Sequence, residues 1–144
     1  MSKLMAKYDL IDAVRGFAES GKPVLGTCAG MVLLAREGGS VSEKTGQFFL
    51  GLIDARVNRN AFGPQRESFQ TDLDVKYLEG KAYNGVFIRA PAYMQASPEV
   101  EVLAVLEGKI VAARQGNVYA TAFHPELSGD LGFHELFLEK LLTN

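Results

Sequence analysis

The short segment Val24–Met31, VLGTCAGM, constrains the fold of this chain more than any other. An uninterrupted apolar run follows Pro23, and such a run is typical of a strand that is buried on both faces of a parallel sheet. From Ala29 the sequence AGMVLLARE has helical spacing and good helix formers until a pair of glycines ends it. The segment therefore predicts a strand, a sharp turn that contains Cys28, and a helix.

Composition and charge favour a single domain over residues 1–144. Of the 144 residues, 47% are hydrophobic, which is enough for one sizeable core. The formal net charge is -2 without long runs of either sign, which argues against nucleic-acid and membrane partners. Without a signal-peptide core or a membrane-length apolar run, we expect a cytoplasmic protein. One cysteine and two distant histidines offer neither a disulfide nor a zinc site.

The rest of the pattern predicts an α/β fold. Apolar residues at three- and four-residue intervals indicate one amphipathic helix over Leu4–Ser20, and polar residues indicate a surface loop over 38–50. Three apolar runs from Glu101 onwards, separated by short turns, predict an antiparallel meander. The last helix follows Asp130 as its N-cap. Three strands are predicted in the middle of the chain, at Ala55–Asn58, Phe69–Val75 and Val86–Arg89.

Cys28 is a candidate nucleophile because of its place at the predicted turn. A helix N-terminus stabilises a thiolate, and backbone N–H groups there can receive a developing oxyanion. Gly26 and Gly30 give the G-x-nucleophile-x-G spacing of nucleophile elbows, in which larger residues would clash with the strained turn. A buried structural thiol is the usual state of a free cysteine, and this segment alone leaves both interpretations open.

The segment FHPE supplies candidate partners for this thiol. His124 follows an apolar run and so falls at the end of a predicted strand, where α/β folds place their reactive groups. Glu126 is two residues further on, and with Pro125 between them its carboxylate can orient the imidazole while the other ring nitrogen faces a thiol. A lone HPE is more often a surface turn. Together with GTCAG it provides a nucleophile, a base and an orienting carboxylate.

Five segments together resemble one protein family: GTCAGMVLLA, GLIDARVNRNAFGPQRESF, GVFIRAP, IVAARQG and FHPEL. They are similar to the glutaminase subunit of pyridoxal 5′-phosphate synthase, a class I, triad-type glutamine amidotransferase. The resemblance extends from the first residues to the final helix. It implies a three-layer α/β fold in which helices flank a mostly parallel central sheet with a short antiparallel meander.

The resemblance also implies a catalytic mechanism. Cys28 would attack the carboxamide of glutamine and form a glutamyl thioester. His124 would protonate the leaving ammonia and then activate water, while Glu126 would orient His124. The backbone N–H of Ala29 would serve the oxyanion hole.

Substrate and partner contacts are implied in the same way. The family's glutamine contacts fall on Arg59, Ile88 and Arg89, and a guanidinium suits the α-carboxylate of glutamine. Without the resemblance, both arginines would be interpreted as solvated surface charges. The resemblance implies no metal and no organic cofactor. The implied partner is a synthase subunit of the barrel type, which would receive the ammonia in a hetero-oligomer.

The sequence departs from the family pattern at its N-terminus. Family members begin with a strand, a helix and a glycine-rich Pro-Gly-Gly-Glu-Ser loop, which gives glutamine contacts and one oxyanion N–H. This sequence has no counterpart of that loop. We therefore expect an N-terminally truncated domain with little activity by itself and an open sheet edge at Val24–Gly26. Two other functions stay open: an inactive or regulatory module that docks on the synthase, and a redox protein with a cysteine at a similar turn.

Overall fold

A seven-stranded sheet forms the centre of the computed structural model, which describes residues 1–143. In chain order the helices are α1 (Ser2–Lys7), α2 (Leu10–Glu19), α3 (Ala29–Leu34), α4 (Ser40–Thr45) and α5 (Gly132–Leu142). The strands are β1 (Val24–Thr27), β2 (Ala35–Gly38), β3 (Ile53–Asn58), β4 (Ser68–Leu73), β5 (Tyr83–Ile88), β6 (Ala92–Ala96), β7 (Glu101–Leu106), β8 (Lys109–Gln115) and β9 (Val118–Thr121). A short 3-10 helix covers Pro125–Leu127.

The central sheet is mixed, with parallel pairing at both ends. Its order is β1-β9-β8-β6-β3-β2, and β7 also pairs with β8. The pairs β1–β9 and β2–β3 are parallel, and the other four pairings described within this sheet are antiparallel. The α/β class and the meander are confirmed, while parallel pairing is a smaller part of the sheet than predicted. The two-residue connections between β7, β8 and β9 permit hairpins only, because parallel neighbours need long crossovers.

Strand β1 lies at one end of this sheet. It pairs in parallel with β9, and no other strand of the described part of the chain borders its second edge. Gly26 is buried, whereas Val24 and Leu25 are only half-buried. The expected open sheet edge at Val24–Gly26 is thus found, whereas burial of this strand on both faces is less complete than predicted.

The N-terminal segment forms two helices instead of the one predicted. Asp9 adopts a left-handed conformation (φ 53°), which separates α1 from α2. Ile11 and Val14 of the predicted stripe pack partly buried against the core. Helical spacing could not reveal this break, since the stripe continues across it. Three other residues of the stripe are exposed: Leu4, Tyr8 and Phe17.

The segment after Cys28 also differs from the prediction. The helix ends at Leu34, because Ala35 is extended (φ −60°, ψ 161°) and begins β2, which pairs with β3. The loop predicted over 38–50 contains α4. The letters AREG fit a helix or a strand equally well, and the pairing with β3 decides between them.

The predicted strands in the middle of the chain are confirmed by β3, β4 and β5, and the meander by β7, β8 and β9. Glu107 and Gly108 both have positive φ (52° and 74°), as the type I′ hairpin turn between β7 and β8 requires. The sequence analysis missed β6. This strand places the buried Tyr93 against α3, where its hydroxyl donates a hydrogen bond of 2.9 Å to the carbonyl of Met31.

Aromatic side chains join the sheet to its surroundings. Strands β4 and β5 form a separate two-stranded hairpin. The ring of Phe123, just after β9, lies 5.7 Å from Phe87 of β5 and 5.5 Å from Phe133 of α5, both edge-to-face. All three rings are fully buried, and each such pair adds about 0.5–1.5 kcal/mol beyond burial. Because His124 follows Phe123, this cluster fixes the start of the HPE segment.

The last helix is confirmed, but its N-cap is Leu131 and the predicted cap residue Asp130 lies one position earlier. The Asp130 carboxylate accepts a hydrogen bond of 2.8 Å from the N–H of Gly132, which satisfies a free donor at the start of α5. Phe133 and Leu136 face the core. As for membranes, the helices within residues 1–143 include none with the length and apolar character of a membrane span.

Glu101 organises a charged network at the start of β7. Its carboxylate accepts hydrogen bonds of 2.5 Å from both Lys76 Nζ and the Tyr77 hydroxyl, and another from Arg114 Nε on the neighbouring strand. Burial raises the pKa of Glu101, but these hydrogen bonds outweigh it and lower the pKa to about 2. The charged carboxylate therefore stabilises the fold.

Glu101→Gln should lower the free energy of unfolding at pH 7 by about 1–2 kcal/mol after allowance for solvent screening. Because the folded-state pKa lies below the ordinary value of 4.5, this stabilisation is complete above that pH and is lost as the pH falls towards 2. Urea unfolding at pH 7 and pH 3 measures it, with the exposed Glu107→Gln as control. A difference between variant and wild type that is equal at both pH values would contradict the prediction.

Candidate active site

Cys28 lies at a strained turn between β1 and α3. Its backbone has φ 51° and ψ −104°, which is a costly conformation for a residue with a side chain. A Cβ added at Gly26 would lie 2.8 Å from the backbone carbonyl group of Gly30 and 2.4 Å from Leu34 Cδ1. The strand and the helix therefore approach each other as closely as a nucleophile elbow requires.

The two glycines beside Cys28 have different roles. Gly26 has no room for a Cβ, in agreement with the sequence analysis. A Cβ added at Gly30 would meet no atom within 4 Å in the described structure. The predicted clash is therefore wrong for Gly30, because a side chain at this position would extend into open space.

Two strands bring Cys28 and His124 to the same place. The Cys28 N–H donates to the carbonyl of Thr121, at the end of the parallel neighbour β9 (2.8 Å). On β5, the carbonyl of Val86 accepts a hydrogen bond of 2.8 Å from the His124 N–H, and the carbonyl of Ile88 accepts one of 3.7 Å from the Cys28 thiol. Carbonyls two residues apart on a strand are separated by roughly 7 Å. Cys28 and His124 therefore lie beside the same short stretch of β5.

Glu126 contacts the imidazole of His124. Its Oε1 lies 2.6 Å from Nδ1 of His124, across the turn that Pro125 begins. Burial raises the pKa of the Glu126 carboxyl, but the hydrogen bonds from His124 and from the backbone N–H of Glu126, together with the nearby histidine charges, outweigh it and lower the pKa. A carboxylate at Nδ1 fixes the ring orientation and leaves Nε2 as the free nitrogen.

The Cys28 thiol is not a pre-formed thiolate. Burial raises its pKa, the N–H of Ala29 acts in the opposite direction, and the charge of Glu126 raises it further. The start of α3 therefore favours the thiolate through the N–H of Ala29, as expected, but burial outweighs this effect. α3 has only six residues, and the effect of Ala29 is smaller than that of burial. Deprotonation of Cys28 near neutral pH requires a base.

The three residues predicted to bind substrate differ in their contacts with Cys28 and its surroundings. Arg89 follows β5 with φ 47°, and its N–H donates a hydrogen bond of 2.5 Å to the carbonyl of Glu67. It lines a cavity of about 240 Å³ together with Asn60. Arg59, next to Asn60, is exposed, and within residues 1–143 neither a hydrogen bond nor an ion pair joins it to the triad residues. Ile88 contacts the thiol through its carbonyl.

Thr121 and Val86 are site residues that the sequence analysis missed. Thr121 is fully buried, its carbonyl binds the N–H of Cys28, and its hydroxyl donates a hydrogen bond of 2.8 Å to the carbonyl of Phe123. The sequence could have indicated Thr121, because it is a polar residue within the apolar run VYATAF. Val86 acts through its carbonyl, for which the sequence carries no signal. A group of three or more metal-ligating side chains is not found in the described part of the chain.

A cysteine at a strained turn beside a histidine that a carboxylate orients is the arrangement of triad-type nucleophilic enzymes. Comparison with known proteins gives the class. The chain matches the SNO glutamine amidotransferase family over residues 1–143. It is 55% identical over 139 residues to a protein of Archaeoglobus fulgidus named pyridoxal 5′-phosphate synthase subunit PdxT, with 96% of this chain and 69% of that protein covered. A PdxT protein of Methanosarcina mazei is 51% identical over 143 residues, covering 99% of this chain and 71% of the relative.

Solved structures agree with the sequence comparison. A crystal structure of a glutamine amidotransferase superposes with a TM-score of 0.87 at 45% identity, over 97% of this chain and 72% of that one. A GMP synthase subunit of Thermoplasma acidophilum shares the fold at 15% identity, with a TM-score of 0.62 over 94% of this chain and 66% of that one. The chain belongs to the SNO glutamine amidotransferase family.

Gly26→Ala should disrupt the elbow, because its methyl group would lie 2.8 Å from the backbone of Gly30. We expect a loss of about 1–3 kcal/mol in unfolding free energy and a changed rate of Cys28 alkylation. Gly30→Ala is the matched control, since its methyl group meets no atom within 4 Å in the described structure. Thermal unfolding and iodoacetamide labelling measure both effects. Equal stability of the two variants would contradict the close approach at Gly26.

Proposed function

We propose that this chain hydrolyses L-glutamine to L-glutamate and ammonia through Cys28, His124 and Glu126. The observation that carries the proposal is the 2.6 Å contact between His124 Nδ1 and Glu126 Oε1, beside a thiol held at a strained turn. His124 Nε2 takes the thiol proton, and the resulting thiolate attacks the carboxamide carbon. The C–N bond then breaks, the same proton leaves with ammonia, and a glutamyl thioester remains.

Water completes the reaction. His124 removes a proton from a water molecule, the hydroxide attacks the thioester carbon, and the Cys28 sulfur leaves and recovers its proton. The N–H of Ala29, which already points towards the sulfur of Cys28, donates to the oxyanion that forms in both halves. The raised pKa of the Cys28 thiol makes the base essential, because burial keeps the thiol protonated until His124 accepts its proton.

Arg59, Ile88 and Arg89 are our candidates for binding glutamine. Arg89 is exposed at the end of the strand whose carbonyl holds the thiol, and it lines the neighbouring cavity of about 240 Å³. A guanidinium there suits the α-carboxylate of the substrate. Arg59 adjoins the same cavity through Asn60. The carboxamide would then extend towards Cys28.

The relatives suggest where the ammonia goes. Those of Archaeoglobus fulgidus and Methanosarcina mazei are named as subunits of pyridoxal 5′-phosphate synthase. We propose that this chain likewise supplies ammonia to a barrel-type synthase subunit in a hetero-oligomer, in the cytoplasm, for the synthesis of vitamin B6. The hydrolytic steps above use protein groups and water alone.

The triad assignment predicts a graded series of losses. Cys28→Ser should abolish ammonia release in the complex with synthase, because a serine hydroxyl is far harder to deprotonate. Glu126→Gln should retain more activity than His124→Ala, since the carboxylate orients the base without replacing it. A diazoketone analogue of glutamine should alkylate Cys28 in the wild type. Labelling elsewhere, or full activity of Cys28→Ser, would refute the proposal.

Arg59→Ala should raise the KM for glutamine about tenfold or more with a smaller change in kcat. The loss of one charge-assisted hydrogen bond to a carboxylate costs about 1.5–3 kcal/mol in ground state and transition state alike. Steady-state kinetics of ammonia release separates the two constants. Arg56→Ala is the control, because Arg56 is an exposed arginine within β3, whereas Arg59 follows the end of that strand. An unchanged KM for Arg59→Ala would remove this residue from the substrate site.

A further inference from the structure

The loop between β3 and β4, residues 59–67, forms most of the wall of the cavity of about 240 Å³, and Arg89 lies in the remaining wall. Two backbone hydrogen bonds described within the loop are short-range. The N–H of Gly63 donates to the carbonyl of Asn60 (3.3 Å), and the N–H of Arg66 donates to the carbonyl of Gly63 (3.4 Å). These contacts shape the loop but do not attach it to the rest of the molecule.

The end of the loop contacts the opposite wall of the cavity. The N–H of Arg89 donates a hydrogen bond of 2.5 Å to the carbonyl of Glu67. The side chains of the same two residues form an ion pair of 3.7 Å, but both are largely exposed. Exposed ion pairs contribute little to stability, so the position of the loop depends on further contacts.

Arg66 attaches the loop to aromatic rings of the hairpin. Its guanidinium carbon lies 3.8 Å from the ring centroid of Phe69 and 5.9 Å from that of Phe62. Phe69 in turn stacks on the fully buried Phe87, its partner across β4 and β5, with the centroids 4.7 Å apart and the rings 4° from parallel. A planar guanidinium stacks well on an aromatic ring and gains cation–π attraction there. Arg66 therefore joins the loop to the buried aromatic cluster around Phe123.

Arg66 also reaches the central sheet. Its Nη1 donates a hydrogen bond of 2.5 Å to Oε1 of Glu107, in the turn between β7 and β8. The two side chains are 40% and 49% exposed, so solvent screens this ion pair. The ion pair sets the direction in which the guanidinium extends, while the stack on Phe69 supplies most of the attachment.

We propose that Arg66, through its stack on Phe69, is a positioning residue that keeps the loop over residues 59–67 in the arrangement that binds glutamine. The loop carries Arg59 and faces Arg89 across the cavity. Without the stack, the loop would occupy other arrangements as well, and the apparent affinity for glutamine would fall with the population of the competent one. The inference rests on the glutamine site given under the proposed function.

Three variants and one control separate the contacts of Arg66. Arg66→Gln removes the charge and the stacked guanidinium, while Arg66→Lys keeps the charge without the planar group. Glu107→Gln removes the ion pair alone. Arg36→Gln is the matched control, because Arg36 is an exposed arginine of the edge strand β2 in an ion pair of 3.0 Å with Asp54.

The first readout is amide hydrogen exchange of Arg89, whose N–H binds the loop. Opening of the loop breaks this hydrogen bond. Exchange should therefore be about three- to tenfold faster in Arg66→Gln than in the wild type, with a smaller increase in Arg66→Lys. Glu107→Gln and Arg36→Gln should match the wild type. Unchanged exchange in Arg66→Gln, or an equal increase in Glu107→Gln, would overturn the proposal.

An internal reference excludes a general loss of stability. The amide of Ala122 donates a hydrogen bond of 2.8 Å to the carbonyl of Val111 in the central sheet. Its exchange should be the same in all variants. Equal acceleration at Ala122 and Arg89 in Arg66→Gln would show global destabilisation and would overturn the role of Arg66 in the loop.

The second readout is glutamine hydrolysis in the complex with synthase. Arg66→Gln should raise KM by a factor similar to its effect on exchange and leave kcat within about twofold, because bound glutamine itself holds the loop. An unchanged KM, or a lowered kcat in its place, would overturn the role in glutamine binding. If the wild type released no ammonia, the proposed function would fail, and the exchange data would still decide whether Arg66 holds the loop.

Discussion

The close approach of α3 to β1 at Gly26 is the constraint on which the site depends. A strand followed at once by a helix turns the chain sharply, and the turn is possible only where the strand lacks a Cβ. The strain is concentrated at Cys28, whose side chain is thereby lifted out of the sheet and directed towards β5. Strain of this kind persists only where surrounding contacts determine it, and here the hydrogen bond to Thr121 and the start of α3 do so.

The second half of the site comes from the opposite end of the chain and depends on packing. Phe123 packs between β5 and α5, and this packing fixes where the following residues, beginning with His124, lie. The 2.6 Å contact between His124 and Glu126 is local, spanning two residues. The position of His124 beside Cys28 depends on residues far apart in the sequence. It requires β9 to lie parallel to β1 and β5 to contact both Cys28 and His124.

The sequence predicts best those features whose cause is local. The elbow at Cys28, the HPE turn and the hydrogen bond of Asp130 to the start of α5 each depend on a few neighbouring residues, and the residue types there are distinctive. The early end of α3 arises from the pairing of β2 with β3, which overrides helical spacing, and the break at Asp9 is a change of backbone conformation that helical spacing does not predict. The hydrogen bond from His124 to the carbonyl of Val86 depends on backbone geometry, and the raised pKa of the Cys28 thiol depends mainly on burial. The identity of the side chains predicts neither.

The hairpin of β4 and β5 has a further consequence for the behaviour of the molecule. It is hydrogen-bonded as a separate two-stranded sheet, and packing of aromatic rings supplies much of its attachment. Tyr83 and Phe87 of β5 are fully buried, so side-chain packing in the core, and not strand pairing with the central sheet, holds this hairpin in place. The carbonyls of Val86 and Ile88 belong to the same strand, and they bind His124 and the Cys28 thiol. A displacement of β5 would therefore move both contacts together, which couples the position of His124 to that of Cys28.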